Sequence, residues 1–330
     1  MRIYPYHWYD PDFPLQLESE FKILTKGQPP DEITLFQNLR CAFERLSRDF
    51  TIDVLHGNSH QVTFQSVFPW APTSKPARCE LCDLMIVTYR TNPFRIRLTF
   101  LQNKSDKTIG NLPLTFYADM LQWELLSEKP LVNGVSPFNP PNNLLSEALL
   151  PSVGTFGIFY RDTNSDYNMA YAIANVLGPI KNGKSQKRKL KYRGNRGQIR
   201  NVNGYVEITS TSSLAEFGHH LARLRIGTPI DGSHVRGESQ SYRSQIRDWL
   251  FDILQSRIAL HDSVENIHQY PLAHLNPNDP LGITIAREFV ELQRENINDD
   301  FAKEQDSNNN GPSIVIIKTD GDMIRGVDVS

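Results

Sequence analysis

Three side chains carry the most chemistry in this sequence: Asp83, Gln102 and Lys104. All lie within residues 79–104, CELCDLMIVTYRTNPFRIRLTFLQNK. A carboxylate, an amide carbonyl and an ammonium brought to one point would suit a hard divalent cation such as Mg2+. That ion takes one or two carboxylates and completes its shell with water and substrate phosphate. An adjacent ammonium orients the attacking water and offsets charge that builds on a phosphoryl centre. An amide at position 102, in place of an acid, removes one negative charge, so a second carboxylate must come from elsewhere in the chain.

The elements that position these groups read as a β-hairpin. Residues 83–89 are rich in β-formers, and residues 94–104 alternate Phe94, Ile96, Leu98 and Phe100 against Arg95, Arg97 and Thr99, a strand period. Between them Arg90-Thr91-Asn92-Pro93 carries turn chemistry. Side chains two apart share a face, so Gln102 and Lys104 extend the apolar stripe of the second arm. An antiparallel return brings Asp83, at the start of the first arm, close to both.

An acid opening one strand, followed by an acid or amide, any residue, then lysine closing the next, resembles the PD-(D/E)xK nuclease superfamily. Gln102-Asn103-Lys104 is similar to the Gln-x-Lys form of Mrr-type restriction endonucleases and related defence nucleases. Cys82 stands where the family pattern has proline. The resemblance implies an α/β fold with a restriction endonuclease-like αβββαβ core and a mixed sheet. It also implies hydrolysis of DNA phosphodiester bonds with Mg2+ or Mn2+, in restriction or anti-phage defence. Asp83 and Gln102 would then hold metal, and Lys104 would act on the water. In such folds the helix before the sheet often contributes a glutamate to the metal. A Gln and a Tyr four apart mark the RecB-like branch after the lysine; Gln122 is followed here by Leu126, which separates the chain from that branch.

The element order read from the pattern agrees with that core. A helix is expected over residues 31–49, with Asp31 as N-cap and Leu35, Phe36, Leu39, Phe43 and Leu46 at helical spacing. At about 100° per residue Glu32 projects from the middle of the apolar face, and Glu44 lies about 120° away. Glu32 is therefore the candidate second carboxylate, with Glu44, Glu18 and Glu20 as alternatives; its bland reading is an acid favoured in the first helical turn. A first strand follows over residues 61–68, then the hairpin, a helix over 114–127 and a buried strand over 154–160.

From Tyr167 to Val206 there is no acidic residue, and nine basic ones lie between Lys181 and Arg200. Lys184, Lys187, Arg188, Lys189, Lys191, Arg193, Arg196 and Arg200 are candidates to neutralise nucleic-acid phosphates from a basic loop; a solvated loop or interdomain linker is the alternative. The expected organisation is a nuclease-like domain over 1–176, this loop or linker over 177–206, and a mainly helical accessory domain over 207–330. In the last, Ser213-Leu214-Ala215-Glu216 reads as a capping box. Ile246, Trp249, Leu250, Ile253 and Leu254 mark a second helix, residues 283–295 a third, residues 299–311 a disordered stretch and residues 313–318 a short strand.

A competing constellation is His56, His60, Cys79 and Cys82, four potential ligands for a structural Zn2+. His219 and His220 are adjacent on an expected helix and so diverge. Composition sets the outer bounds. The 330 residues are 39% hydrophobic with a formal charge of −2, so polyanion binding must rest on local patches. Three cysteines point to a reducing compartment, and no apolar run approaches a bilayer span. The expectation is a soluble, cytoplasmic protein with DNA as partner, without membrane contact, able to pair with a companion subunit or a second copy. A non-catalytic nucleic-acid-binding module and a zinc-stabilised interaction protein are the two alternatives to the nuclease.

Overall fold

The computed structural model describes residues 12–29, 31–46, 52–55, 60–70, 75–91, 94–109, 115–181, 183–230 and 312–319, with residues 245, 246, 249, 250 and 253. It is a mixed α/β structure around an eight-stranded mixed sheet. In spatial order the sheet holds β1 (Ile52–Leu55), β16 (Ser313–Lys318), β4 (Leu84–Thr91), β5 (Phe94–Ile109), β8 (Gly154–Arg161), β9 (Tyr167–Ile173) and β14 (Ser210–Thr211), with β15 (Thr228–Pro229) also paired to β5. The β4–β5 hairpin is antiparallel with Leu84 opposite Leu101, and β8 runs parallel to β5 with Phe156 beside Gln102.

Both faces of this sheet are covered. On one, Phe21 of helix α1 (Phe13–Thr25) stacks on Phe159 at 5.6 Å, and Phe217 of α4 (Leu214–Ala222) meets Tyr171 at 5.3 Å. Helix α2 (Glu32–Leu46) packs on α1 and buries Leu35, Leu39, Ala42, Phe43 and Leu46. Its N-cap is Asp31, whose Oδ1 accepts the Thr34 N–H at 2.8 Å. On the other face lie α3 (Met120–Glu128) and a three-stranded sheet of β10 (Leu177–Pro179), β11 (Lys187–Tyr192) and β6 (Thr115–Asp119), whose Phe116 meets Phe156 at 5.9 Å. Ser213 caps α4 by accepting the Glu216 N–H at 3.1 Å, as the capping box requires.

The expected strand over 61–68 forms as β2 (Gln61–Phe64) but does not enter the large sheet; it pairs with β3 (Ala77–Glu80) and β7 (Asn133–Gly134). Beside β4 lies β16 instead, parallel to it, with Ile314, Val315, Ile316 and Ile317 buried. Both segments have β propensity. Which one fills the slot depends on flatness of the apolar content: a strand buried on both faces needs a continuous apolar run, and SIVIIK has one where QVTF does not. The expected helix over 114–127 divides at Asp119. Residues 115–119 alternate buried Phe116 and Ala118 with outward positions and zip onto β11, and Asp119 Oδ1 then accepts the Leu121 N–H at 2.8 Å to start α3.

The basic stretch is not a loop. Leu190 is fully buried in β11, and residues 199–202 (β12) form a hairpin with residues 205–208 (β13). The large sheet also crosses the boundaries expected at residues 176 and 206, because β14, β15 and β16 pair with β9, β5 and β4. Among the described residues beyond 206, α4 and helical positions at Ile246, Trp249, Leu250 and Ile253 accompany these strands. The expected helix over 283–295 and stretch 299–311 lie outside the described residues. No described helix is long and apolar enough to cross a membrane.

Ile316→Ala tests the internal place of β16. A core truncation there should cost about 2–5 kcal/mol in urea unfolding, against under about 1 kcal/mol for a peripheral strand.

Candidate active site

Where β4 stops, β5 continues, and the groups singled out in the sequence gather at that step. The Asp83 N–H donates to the Leu101 carbonyl at 3.0 Å, the last rung between the two strands. Asn103 would supply the next rung, and in an antiparallel pair its N–H and C=O face the same edge. With no strand residue there to pair it, the Asn103 N–H donates to Asp83 Oδ2 at 2.6 Å. The Gln102 side chain also hydrogen-bonds the Asp83 carboxylate. Lys104 Nζ donates to Glu32 Oε1 at 2.8 Å.

The four residues are thus in one cluster: Asp83 from the start of the hairpin, Gln102 and Lys104 from one face of β5, and Glu32 from the first turn of α2. Gln102 is 1% exposed and Lys104 9%, whereas the Glu32 side chain is 41% exposed and opens the cluster to solvent. Burial pushes the Asp83 carboxyl up to about 6, against the opposing pull of the Lys104 ammonium and the Asn103 N–H. The other acids weighed for this role are engaged elsewhere. Glu18 pairs with Lys22 and accepts the Ala215 N–H, Glu20 pairs with Arg45, and Glu44 pairs with Arg40.

The donor set fits a hard divalent cation. Asp83 and Glu32 provide carboxylates, and the buried Gln102 Oε1 accepts no hydrogen bond. Among the described residues no three His, Cys, Asp or Glu side chains group as a metal centre. Two carboxylates and an amide would therefore leave much of the shell to water and phosphate, as Mg2+ commonly does. The same finding bears on zinc: His60, Cys79 and Cys82 do not assemble into such a group, and His56 lies outside the described residues. Burial, with nearby carboxylates, raises the Cys79 thiol above its ordinary range.

The sequence points to the Asn103 carbonyl as a group at the strand end, but not to its N–H or its side chain. Its N–H holds Asp83, while its fully buried side chain projects to the opposite face, where neither Oδ1 nor Nδ2 has a partner. A Cβ on Gly157 would come within 2.7 Å of Asn103 Oδ1 and 2.8 Å of Met169 Sδ, so glycine is what makes room for this side chain. The readable signal was the glycine inside GTFGIFY, since a glycine within a buried strand marks close approach of another group.

Four of the eight basic candidates lie in β11. Lys187, Lys189 and Lys191 project from one exposed face, with Lys189 over the Tyr117 ring at 5.1 Å. Arg188 turns to the Leu190 side and donates to the Gly183 carbonyl at 3.0 Å. Arg193 and Arg196 sit over Trp123 at 6.0 Å and Tyr192 at 4.2 Å. Lys184 is exposed in the turn before β11, and Arg200 is half-buried in β12.

Comparison of the chain with protein-family models, curated proteins and solved structures finds no match in any of the three.

The raised Asp83 carboxyl makes a pH prediction. Its folded-state pKa lies above the ordinary carboxylate value of 3.8, so the fold binds this proton more tightly than the unfolded chain does. Its stabilising effect is complete below about pH 4 and is lost as pH rises through about 6. In chelator, Asp83→Asn should therefore stabilise the protein by about 2–3 kcal/mol at neutral pH, a gain that vanishes below about pH 4. Denaturant unfolding across this range reads both limits.

Proposed function

We propose that the protein is a divalent-metal-dependent nuclease that hydrolyses DNA phosphodiester bonds, of the PD-(D/E)xK kind and acting in restriction or anti-phage defence. The observation that carries this reading is the convergence of Asp83, Gln102, Lys104 and Glu32 where β5 outruns β4. Asp83, Glu32 and the free Gln102 Oε1 would hold Mg2+ or Mn2+. When bound, the cation supplies Lewis acidity toward a phosphate oxygen.

The remaining work falls to the chain. Lys104 is restrained by Glu32 at 2.8 Å, so its ammonium is held in place to orient the attacking water and to offset charge developing on the phosphoryl group. The Asn103 N–H keeps the Asp83 carboxylate from turning away. Exposed Lys187, Lys189 and Lys191, on a flat strand face beside Tyr117, would bind backbone phosphates without regard to sequence. Such affinity falls steeply with added salt.

A non-catalytic DNA-binding module is the second reading, favoured by the amide at 102, which leaves the site one charge short of two neighbouring acids on the hairpin. Salt-sensitive, metal-independent binding without cleavage would select it.

Purified protein incubated with plasmid and with phage DNA should nick them only when Mg2+ or Mn2+ is added. Asp83→Ala and Lys104→Ala should each lower the rate by roughly 100-fold or more, and Glu32→Gln by about tenfold. Absent cleavage, or cleavage unaffected by the first two substitutions, rejects the nuclease.

A further inference from the structure

Strand β11 carries a row of cations away from the Asp83 cluster. Lys187, Lys189 and Lys191 are exposed at alternate positions, and Arg193 continues the row one step past the strand end, where its N–H still donates to the Val176 carbonyl at 2.6 Å. Residues two apart share a face and stand about 6.8 Å from each other, so the row runs for about 20 Å. Its neighbours on that face follow from the pairing. Lys187 lies opposite Asp119, Lys189 opposite Tyr117, and Lys191 between Thr115 and Gly178. Asp119 is the acid among these positions, and its Oδ1 accepts the Leu121 N–H at the start of α3.

A strand face that is merely solvated needs neither a large ring left in water nor a glycine reserved for an arginine. Here Tyr117 is 63% exposed in the middle of the row, with Lys189 Nζ 5.1 Å from the centre of its ring. Gly178 makes room for Arg193, because a Cβ there would collide with the guanidinium, which stands 6.0 Å from the centre of the Trp123 ring. The reverse side of the same strands is closed by Phe116 against Phe156, the neighbour of Gln102 in the large sheet. A straight row of cations matches the backbone of an extended polyanion, and an exposed ring within the row is a surface for stacking. Bases in a duplex stack on one another and show only their edges in the grooves, so a ring on a sheet can meet the flat side of a base only when that base is unpaired.

We propose, resting on the reading of the chain as a nuclease, that this face holds single-stranded nucleic acid. Phosphates lie along Lys187, Lys189, Lys191 and Arg193, and a base stacks on Tyr117.

The test is fluorescence anisotropy of the full chain in chelator, with labelled oligo(dT), oligo(U) and a DNA duplex of the same length as probes. At least one single strand should bind about tenfold or more tightly than the duplex, and which of the two binds better assigns the face to DNA or RNA. Tyr117→Ala should weaken single-strand binding by roughly fivefold or more and leave the duplex unchanged, while Tyr117→Phe retains the affinity. Lys189→Ala and Arg193→Ala should each reduce the slope of log affinity against log salt by roughly 0.7, which a folding defect would not do. Lys26→Ala, at the end of α1, should leave both affinity and slope unchanged. Duplex binding as tight as single-strand binding overturns the proposal and leaves the nuclease reading standing, as does single-strand binding that survives Tyr117→Ala combined with Arg193→Ala. Binding to none of the probes overturns it whatever the plasmid cleavage assay shows. Single-strand binding of the expected kind without metal-dependent cleavage supports it and rejects the nuclease alone.

Discussion

The hydrogen bond from the Asn103 N–H to Asp83 is the contact on which the candidate site depends. It forms because β5 continues beyond the last rung it shares with β4, so a backbone donor that would have found a strand partner finds a carboxylate. That places the carboxylate in line with Gln102 and Lys104. A slip of one residue in the β4–β5 register would carry Gln102 and Lys104 to the other face of the sheet and leave Asp83 without its donor. Polar contacts fix β5 along the edge that faces away from β4. Arg97 is tied to the Gly227 carbonyl, and Thr99 donates to the Ser152 carbonyl at 2.7 Å and meets the Thr155 hydroxyl at 3.2 Å. The strand bearing the site is therefore anchored by polar contacts to the start of β8, the turn before it and the residue before β15, as well as by apolar packing.

This arrangement works against stability in several places. Asp83 is charged in surroundings that favour its protonated form, Gln102 Oε1 is buried without a donor, and the Asn103 amide is buried with no partner at either end. A buried polar group lacking its hydrogen bond costs on the order of 1–3 kcal/mol. Unfavourable burial of this kind, gathered on Asp83, Gln102 and Asn103 where the two strands part, is the sort found at sites kept for chemistry. The apolar core under α1, α2 and α4 offsets it, with Phe21, Phe43, Phe159 and Phe217 fully buried.

How much of this was legible in the sequence differs between local and non-local features. The hairpin, its face assignment and the capping of α2 and α4 follow from period and turn chemistry within a dozen residues, and they are present in the structure. The meeting of Glu32 with Lys104 could be guessed only because an acid sat on an apolar helical face. Three things were hidden. SIVIIK reads as a strand, but nothing local says that it lies beside β4 while QVTF does not. KRKLKY reads as charge, and its single buried Leu190 was too little to announce a strand. The pocket lined by Arg90, Arg95, Arg97, Tyr205, Arg223 and Arg225 draws on three separate stretches that only the folded chain brings together.

The position of β16 has a consequence for how the molecule comes into being. Ser313 lies opposite Leu84 across a parallel pair, so the strand that opens with the site's carboxylate waits for a partner translated long after it. Until the ribosome has passed Lys318, the outer edge of β4 and the facing edge of β1 remain open, and open edges invite pairing with other chains. Long-range parallel pairing of this type is slow to form and exposed to aggregation. A nascent chain would carry an assembled hairpin but an unclosed sheet. The sheet around Asp83 would close only when β16 docks beside β4.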